Sequence, residues 1–151
     1  MIELSGERHL DQAKAKVLAF LSDPNLFSSC LGNTEDLHVE QNGDFRAKFK
    51  IAIPKKFGVS YLENVSATMS FKLSKGPEVV EWEGSGRTVG IKLTIVLRLD
   101  VRDEDAGTHL SWYASMNAAM IERLLGEQNL REIASDIATP ILECISTGIG
   151  P

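Results

Sequence analysis

The middle of the chain alternates apolar and polar residues with a period of two. In the clearest stretch, Ile91 to Val101, apolar side chains occupy every odd position and most residues between them are polar. Because successive side chains of a strand point to opposite faces, this pattern predicts a strand with one face on the core and the other in water. Alternation predicts further strands at Phe45 to Ile53, Val65 to Leu73, Leu110 to Met116, Ile2 to Arg8, Leu37 to Gln41 and Val79 to Gly84.

The residues between these strands predict an antiparallel meander. Asn42-Gly43 is expected to supply the two positive φ angles of a tight hairpin, Gly76-Pro77 interrupts a second run, and Asp103 to Gly107 closes a third. Gly84-Ser85-Gly86 predicts a bulge or bend, since glycine has no side chain to pack and accepts unusual dihedral angles. The resulting sheet should be curved.

Two regions have the period of a helix instead. Asp11 to Ser22 predicts one short helix, and Pro24 to Leu31 predicts a second that begins with proline in its first turn. From Met120 to Ile145, apolar residues recur every three, four and seven positions, which predicts one long amphipathic helix kinked at Pro140. Such a helix buries its apolar stripe on the apolar face of the sheet, so the fold class is α+β.

Length, charge and cysteine spacing limit the classes of function. The 151 residues are expected to form one domain, 1–151, and the formal net charge of −5 argues against nucleic acid as a partner. No basic leader precedes an apolar stretch at the start, so no signal peptide is expected. The longest uncharged apolar run, Leu110 to Ile121, is shorter than the roughly 18 residues that suggest a membrane span, so membrane contact should be peripheral at most. Cys30 and Cys144 match no disulfide framework or zinc spacing, which favours reduced thiols in a cytoplasmic protein.

The sequence contains no recognisable catalytic or metal-binding constellation. His9, His38 and His109 lie near strand ends and are interpreted as solvated surface imidazoles. Glu63 is the carboxylate on the apolar phase of its strand: buried, it would have a raised pKa suited to acid or base chemistry, but near the strand start it is more simply an exposed end residue. The loop Pro54 to Gly58 pairs two lysines with a phenylalanine and is interpreted as solvated rather than membrane-bound.

Aromatic and methionine side chains on the inward phases, such as Trp82, Trp112 and Met116, suit an adaptable apolar pocket. A solid hydrophobic core contains the same residue types. Periodicity alone therefore leaves pocket and core equally open.

Several short motifs carry a resemblance that covers almost the whole chain. They are Val17-Leu18-Ala19-Phe20-Leu21-Ser22-Asp23-Pro24, Cys30-Leu31-Gly32, Asp36-Leu37, Gly84-Ser85-Gly86, Gly107-Thr108-His109-Leu110-Ser111-Trp112 and Gly126. In order and spacing they resemble the carbon monoxide dehydrogenase G-subunit (CoxG) family of the START-like (SRPBCC) superfamily. The resemblance implies a helix-grip fold, in which a curved antiparallel sheet of about seven strands wraps around a long C-terminal helix, with two short helices after the first strand.

The resemblance also implies a function. Relatives bind lipids, sterols, quinones or aromatic polyketides, and CoxG relatives are linked to the recruitment of molybdenum carbon monoxide dehydrogenases to the membrane. The chain is therefore expected to bind a hydrophobic small molecule such as a lipid or quinone without a cofactor or metal. A molybdenum hydroxylase-type enzyme is its expected protein partner, and the inner membrane face is the expected site of any peripheral contact. The alternatives are a cyclase or hydrolase of the same fold that uses Glu63 or Tyr61, and a protein-interaction module with a solid core.

The expected ligand-binding residues combine the inward phase of the strands with the apolar stripe of the last helix. Same-face neighbours on adjacent strands lie about 4.5–5.5 Å apart, and a helix across that face presents residues spaced by three and four. The set is Phe49, Met69, Phe71, Trp82, Ile95, Leu97, Trp112, Met116, Ile133, Ile137 and Ile141.

Overall fold

Strands and helices follow one another in the order that the alternation predicts. The computed structural model describes residues 1–31, 34–52, 64–88 and 91–148. The elements are β1 Ile2–Leu10, α1 Lys14–Ser22, α2 Pro24–Ser29, β2 Thr34–Val39, β3 Phe45–Ala52, β4 Asn64–Lys75, β5 Val79–Thr88, β6 Ile91–Glu104, β7 Gly107–Asn117, α3 Ala119–Leu125 and α4 Glu127–Gly148.

The strands form one seven-stranded antiparallel sheet in the order β1-β7-β6-β5-β4-β3-β2. Strands β2 to β7 are a meander, and β1 is added beside the last strand. On β6, Leu93 and Leu99 are buried while Lys92 and Arg98 are exposed, so the alternation in sequence is the alternation between core and solvent. This curved sheet with its helices confirms the predicted α+β fold class.

The bulge predicted at Gly84 is wrong, because the pairing through this segment is continuous. Phe71 pairs with Gly84, which pairs with Ile95, without a shift in register. A Cβ added to Gly84 would lie 2.5 Å from Cε1 of Phe71, so the glycine provides room for an aromatic ring rather than a bend. The register shifts instead between β2 and β3, next to Asp36, whose φ is 54°.

The two tight turns differ from each other. Gly43 has a φ of 94°, but Asn42 has no positive φ, so the expected pair of left-handed residues is wrong. Asn42 instead accepts a hydrogen bond from the Asp44 amide through its side-chain oxygen at 3.0 Å. At the β6–β7 turn, Ala106 has a φ of 58°, and the connection is a short hairpin as predicted.

The long C-terminal helix is two helices, which corrects the prediction of one. Gly126, with a φ of 85°, ends α3, and its amide donates to the Glu122 carbonyl at 2.8 Å. The apolar period continues across this break, so periodicity alone does not reveal it. α4 then runs through Pro140 without ending. Among the helices in the described part of the chain, none is long and apolar enough to cross a membrane.

Cys30 and Cys144 form a disulfide, with their Cα atoms 5.4 Å apart. Cys30 is the C-cap of α2, and Cys144 lies in the last turns of α4. The expectation of reduced thiols is therefore wrong. The two cysteines are 114 positions apart in sequence, and only the fold brings them together. The bond joins the end of α2 to the last turns of α4.

Aromatic rings fill one end of the inner sheet face. Trp82 stacks on Phe27 of α2 with ring centroids 4.9 Å apart, and Phe45 stacks on Phe71 at the same distance. The indole N–H of Trp82 donates to the Leu21 carbonyl of α1 at 2.9 Å. α1 therefore lies over β5, β6 and β7, α2 lies beside β2, and α4 lies against β1 at the opposite edge of the sheet.

Candidate ligand-binding site

Hydrogen bonds between β1 and α4 fasten the helix to the sheet near both of its ends. Arg131 donates to the Glu3 carbonyl at 2.8 Å, and Arg8 donates to the Leu142 carbonyl at 3.2 Å and to Ser146 Oγ at 2.7 Å. Arg8 lies on the inner phase of β1, where an arginine is unusual, and this contact with the helix accounts for it. Leu130, Ile133 and Ile145 of α4 are buried in the core.

A continuous group of apolar side chains on β6, β7 and β1 is only partly buried, although it lies on the inner face. Ile95 pairs directly with Met116, while Leu97 and Leu4 both pair with Ala114 between them. Trp112 lies on the same face of β7. The aromatic half of this face is closely packed by comparison, so the partial exposure indicates space that α4 does not fill.

The predicted ligand-binding residues divide into two groups by burial. Phe49, Met69, Phe71, Trp82 and Ile133 are buried in the packed core. Ile95, Leu97, Trp112, Met116 and Ile141 are partly buried and pack against this core. The side chain of Ile137 lies outside the described residues. The fold thus gathers the second group around one region, and their role in binding a ligand stays a prediction.

A glycine on β1 determines where the Trp112 ring lies. Gly6 is the direct register partner of Trp112, and a Cβ on Gly6 would be 2.7 Å from Cζ2 of the indole. The ring therefore extends across the neighbouring strand along the inner face. The sequence places both a glycine and a tryptophan on the inward phase of their strands. That they lie opposite each other follows only from the pairing of β1 with β7.

Charged side chains come together on the outer face, at the ends of β1, β6 and β7. His9 and His109 are register partners, and Glu104 accepts from His9 Nδ1 at 2.5 Å while its other oxygen lies 3.6 Å from His109 Nδ1. The hydrogen bond with Glu104 raises the pKa of His9, and the same bond lowers the pKa of Glu104. The sequence interpretation of these two histidines as solvated surface imidazoles did not include their contacts with Glu104. No group of three His, Cys, Asp or Glu side chains within the described ranges is arranged to hold a metal ion.

The side chains buried in the described part of the chain are almost all apolar, and the buried polar ones form hydrogen bonds. The buried hydroxyl of Thr108 donates to the Gln12 carbonyl at 2.6 Å, and that of Ser28 donates to the Asn25 carbonyl at 3.2 Å. Of the described residues, none buries a side-chain nitrogen or oxygen that lacks a partner. Glu63, Tyr61 and the loop Pro54 to Gly58 lie outside the described residues. The part of the inner face that the structure describes is therefore suited to apolar contact.

In the part of the chain that the structure describes, two open grooves have linings that include no residue of α4. One, of about 480 Å³, runs between α1 and the β4–β5 turn, lined by residues including Leu18, Pro77 and Val80. The other, of about 570 Å³, lies beside the β2–β3 turn and reaches Phe45 and Phe71. Phe71 is a predicted ligand-binding residue beside this groove, but it is itself buried in the packed core.

The model of one protein family matches residues 6–150, which is nearly the whole chain, and it describes the G-subunit of carbon monoxide dehydrogenase, CoxG. The chain belongs to the CoxG family. The comparison with curated proteins gives no match.

Solved structures show the same fold at low identity. A conserved protein from Geobacillus kaustophilus is similar at 17% identity with a TM-score of 0.76, covering 98% of this chain and 95% of that one. A START superfamily protein from Mycobacterium smegmatis has 7% identity and a TM-score of 0.65, with coverages of 97% and 96%. Ara h 8.0201 has 10% identity and a TM-score of 0.63, with coverages of 98% and 97%. The START-like fold predicted from the sequence is confirmed, and proteins with this fold commonly bind hydrophobic ligands.

Proposed function

We propose that this CoxG family protein binds a hydrophobic small molecule between α4 and the inner face of β6, β7 and β1. The observation that carries the proposal is the group of partly buried apolar side chains on the inner face of β6, β7 and β1, namely Leu4, Ile95, Leu97, Trp112 and Met116, together with Ile141 of α4. Transfer of apolar ligand surface out of water contributes about 25 cal/mol per Å², so an uncovered apolar surface of this kind favours a ligand of low polarity.

The side chains favour a lipid or quinone over a polar metabolite. Trp112 presents an indole face that can stack on a flat ring, and Met116 is a flexible, polarisable neighbour that adapts to an isoprenoid or acyl chain. Buried hydroxyls in the described interior already donate to backbone carbonyls. A ligand head group with many polar atoms would find few partners there, which supports the less polar classes.

Membership of the CoxG family supports a role beside a carbon monoxide dehydrogenase-type enzyme at a membrane. The α3 helix exposes Met120 and Leu124, which are one turn apart and 52% and 46% exposed. Two apolar side chains on one short helix suit shallow, reversible contact with a bilayer surface. In this proposal the protein receives its ligand at the inner membrane face while remaining peripheral to the bilayer.

Ligand uptake by purified protein tests the proposal. The protein is incubated with a short-chain quinone or with a fatty acid, separated from free ligand, and the bound molecule is measured by mass spectrometry. Met116→Trp should fill the space beneath α4 and abolish uptake, whereas Met120→Trp, on exposed α3, should leave it unchanged. A folded wild-type protein that takes up neither class would favour the solid-core interaction module instead.

A further inference from the structure

Cations gather on the outer face of the sheet, at the end where β5 finishes and β6 begins. Lys48, Thr68, Arg87 and Lys92 are successive register partners on β3, β4, β5 and β6. Adjacent strands lie about 4.8 Å apart, so these four side chains form a row across the sheet. Lys48 is half-buried, and the other three are exposed.

The neighbouring positions enlarge this row into a surface. Arg46 and Lys50 lie two residues on either side of Lys48 and therefore share its face of β3. Arg46 is followed across the sheet by Ser70, Ser85 and Thr94. We call Arg46, Lys48, Lys50, Arg87 and Lys92 the cationic face. It contains five of the chain's sixteen Lys and Arg residues, and hydroxyl side chains such as Thr68 and Ser70 lie between them.

This face is poorly neutralised by the chain itself. Glu35 lies 3.0 Å from Lys50, and that contact lowers the pKa of Glu35. Glu35 is also the register partner of Lys48, whose charge contributes to this lowering. Among the described residues, Arg46, Arg87 and Lys92 form no such pair with a carboxylate. Several cations elsewhere on the molecule are paired: Arg98 with Asp100 at 3.1 Å and Arg131 with Glu127 at 3.3 Å, for example. In a chain whose net charge is −5, a surface that gathers five cations around Glu35 is a local feature and not a consequence of composition.

We propose that the cationic face docks an acidic surface of a partner protein. Arginine and lysine side chains fixed on a sheet can pair with carboxylates presented in a row, and the interleaved hydroxyls can donate further hydrogen bonds to them. The cationic face contains no large apolar side chain, among its described residues, that would insert into a bilayer. This favours a protein surface over a lipid surface. The chain's overall negative charge opposes a nucleic acid. The inference stands apart from the ligand proposal, since it concerns the opposite side of the sheet.

Titration of isotope-labelled protein with poly-L-glutamate, followed by NMR at about 50 mM salt, tests this surface. The amide resonances of β3 to β6 around the cationic face should move most. Lys48→Glu with Arg87→Glu should weaken binding by about ten-fold or more. Lys75→Glu with Arg102→Glu makes the same change in net charge at the opposite end of the sheet, and it should weaken binding less than two-fold.

Three results would overturn the proposal: equal weakening by both double variants, shifts located away from the cationic face, or tighter binding to a different class of probe. The last is measured with vesicles containing phosphatidylglycerol and with duplex DNA, under the same salt conditions. If the double glutamate variant does not fold, Lys48→Gln with Arg87→Gln replaces it and should weaken binding at least three-fold, by removing charge without reversing it.

Discussion

The indole ring of Trp112 lies across Gly6 on the neighbouring strand, within 2.7 Å of where a Cβ on that residue would stand. Two inner-face positions of β1 and β7 are thereby occupied by one side chain. The arrangement places a wide aromatic surface next to the half-buried Leu4 and Met116, in the region where we propose that the ligand binds.

Gly6→Ala should displace the Trp112 ring and weaken ligand uptake. An added methyl group at this distance overpacks the site, which costs roughly 1–3 kcal/mol of the free energy of unfolding. Tryptophan fluorescence should change together with uptake of the quinone probe. Ser5→Ala, on the outer face of the same strand, serves as the control, and normal uptake by Gly6→Ala would show that Trp112 does not contact the ligand.

The two tryptophans should respond differently to replacement by phenylalanine. Trp82→Phe removes the N–H that donates to Leu21 and leaves space in the aromatic cluster, so the free energy of unfolding should fall by about 2 kcal/mol or more. Trp112→Phe should cost less stability and more ligand affinity. Urea denaturation and ligand uptake, measured on both variants, check this division, and the reverse pattern would contradict the assignment of the site.

Reduction of the Cys30–Cys144 bond should destabilise the protein. Removing a cross-link between residues 114 positions apart restores conformational entropy to the unfolded chain, which costs roughly 2–5 kcal/mol. Urea denaturation with and without dithiothreitol measures the difference. The variant Cys30→Ser with Cys144→Ser should match the reduced protein and give one midpoint in both conditions. Identical wild-type midpoints in both conditions would mean that the bond is not formed.

The contact between His9 and Glu104 should stabilise the fold only within a pH window. The pKa of His9 is raised above its ordinary 6.5, so its contribution is fully present below 6.5 and is lost as pH rises through the higher folded value. The pKa of Glu104 is lowered from 4.5, so its contribution is present above 4.5 and is lost as pH falls through the lower folded value. The contact therefore contributes in full between pH 4.5 and 6.5 and is lost progressively on either side.

An NMR titration of the His9 ring measures this contact directly. Glu104→Gln should lower the pKa of His9 towards 6.5, because the main hydrogen-bond acceptor loses its charge. Glu122→Gln, on α3 at the other end of β1, is the control and should leave the His9 titration in place. An unchanged His9 titration in Glu104→Gln would assign the raised pKa to another neighbour, such as Asp11.

The spacing of apolar residues predicts a strand or helix correctly where contact with the core alone determines which residues are apolar. Alternation predicted β6 because each apolar residue, such as Leu93 or Leu99, meets the core directly. It failed at Gly84, since glycine serves equally for a bulge and for the close approach of a ring such as Phe71. It also failed at Gly126, where a left-handed residue divides the helix while the apolar period continues.

The sequence predicts which residues lie on the inner face, but not which of them are packed and which are left partly exposed. The inward phases identify Ile95 and Trp112 together with Phe71 and Trp82, although the first two are half-buried and the last two packed. That difference depends on where α4 lies, which Arg8 and Arg131 determine through contacts more than a hundred residues away in sequence. Contacts between residues this far apart in sequence, including that of Gly6 with Trp112, leave no periodic signal in the sequence.

The disulfide also makes most of the chain a closed covalent ring. Residues 30 to 144 form the ring, which contains strands β2 to β7, whereas β1 and α1 lie in the open segment before it. A protease that cuts once anywhere inside the ring opens it without separating any fragment. Such a nicked protein would migrate as one molecule on a gel without reductant and as two pieces with it, so limited proteolysis can report where the sheet opens while the molecule stays covalently whole.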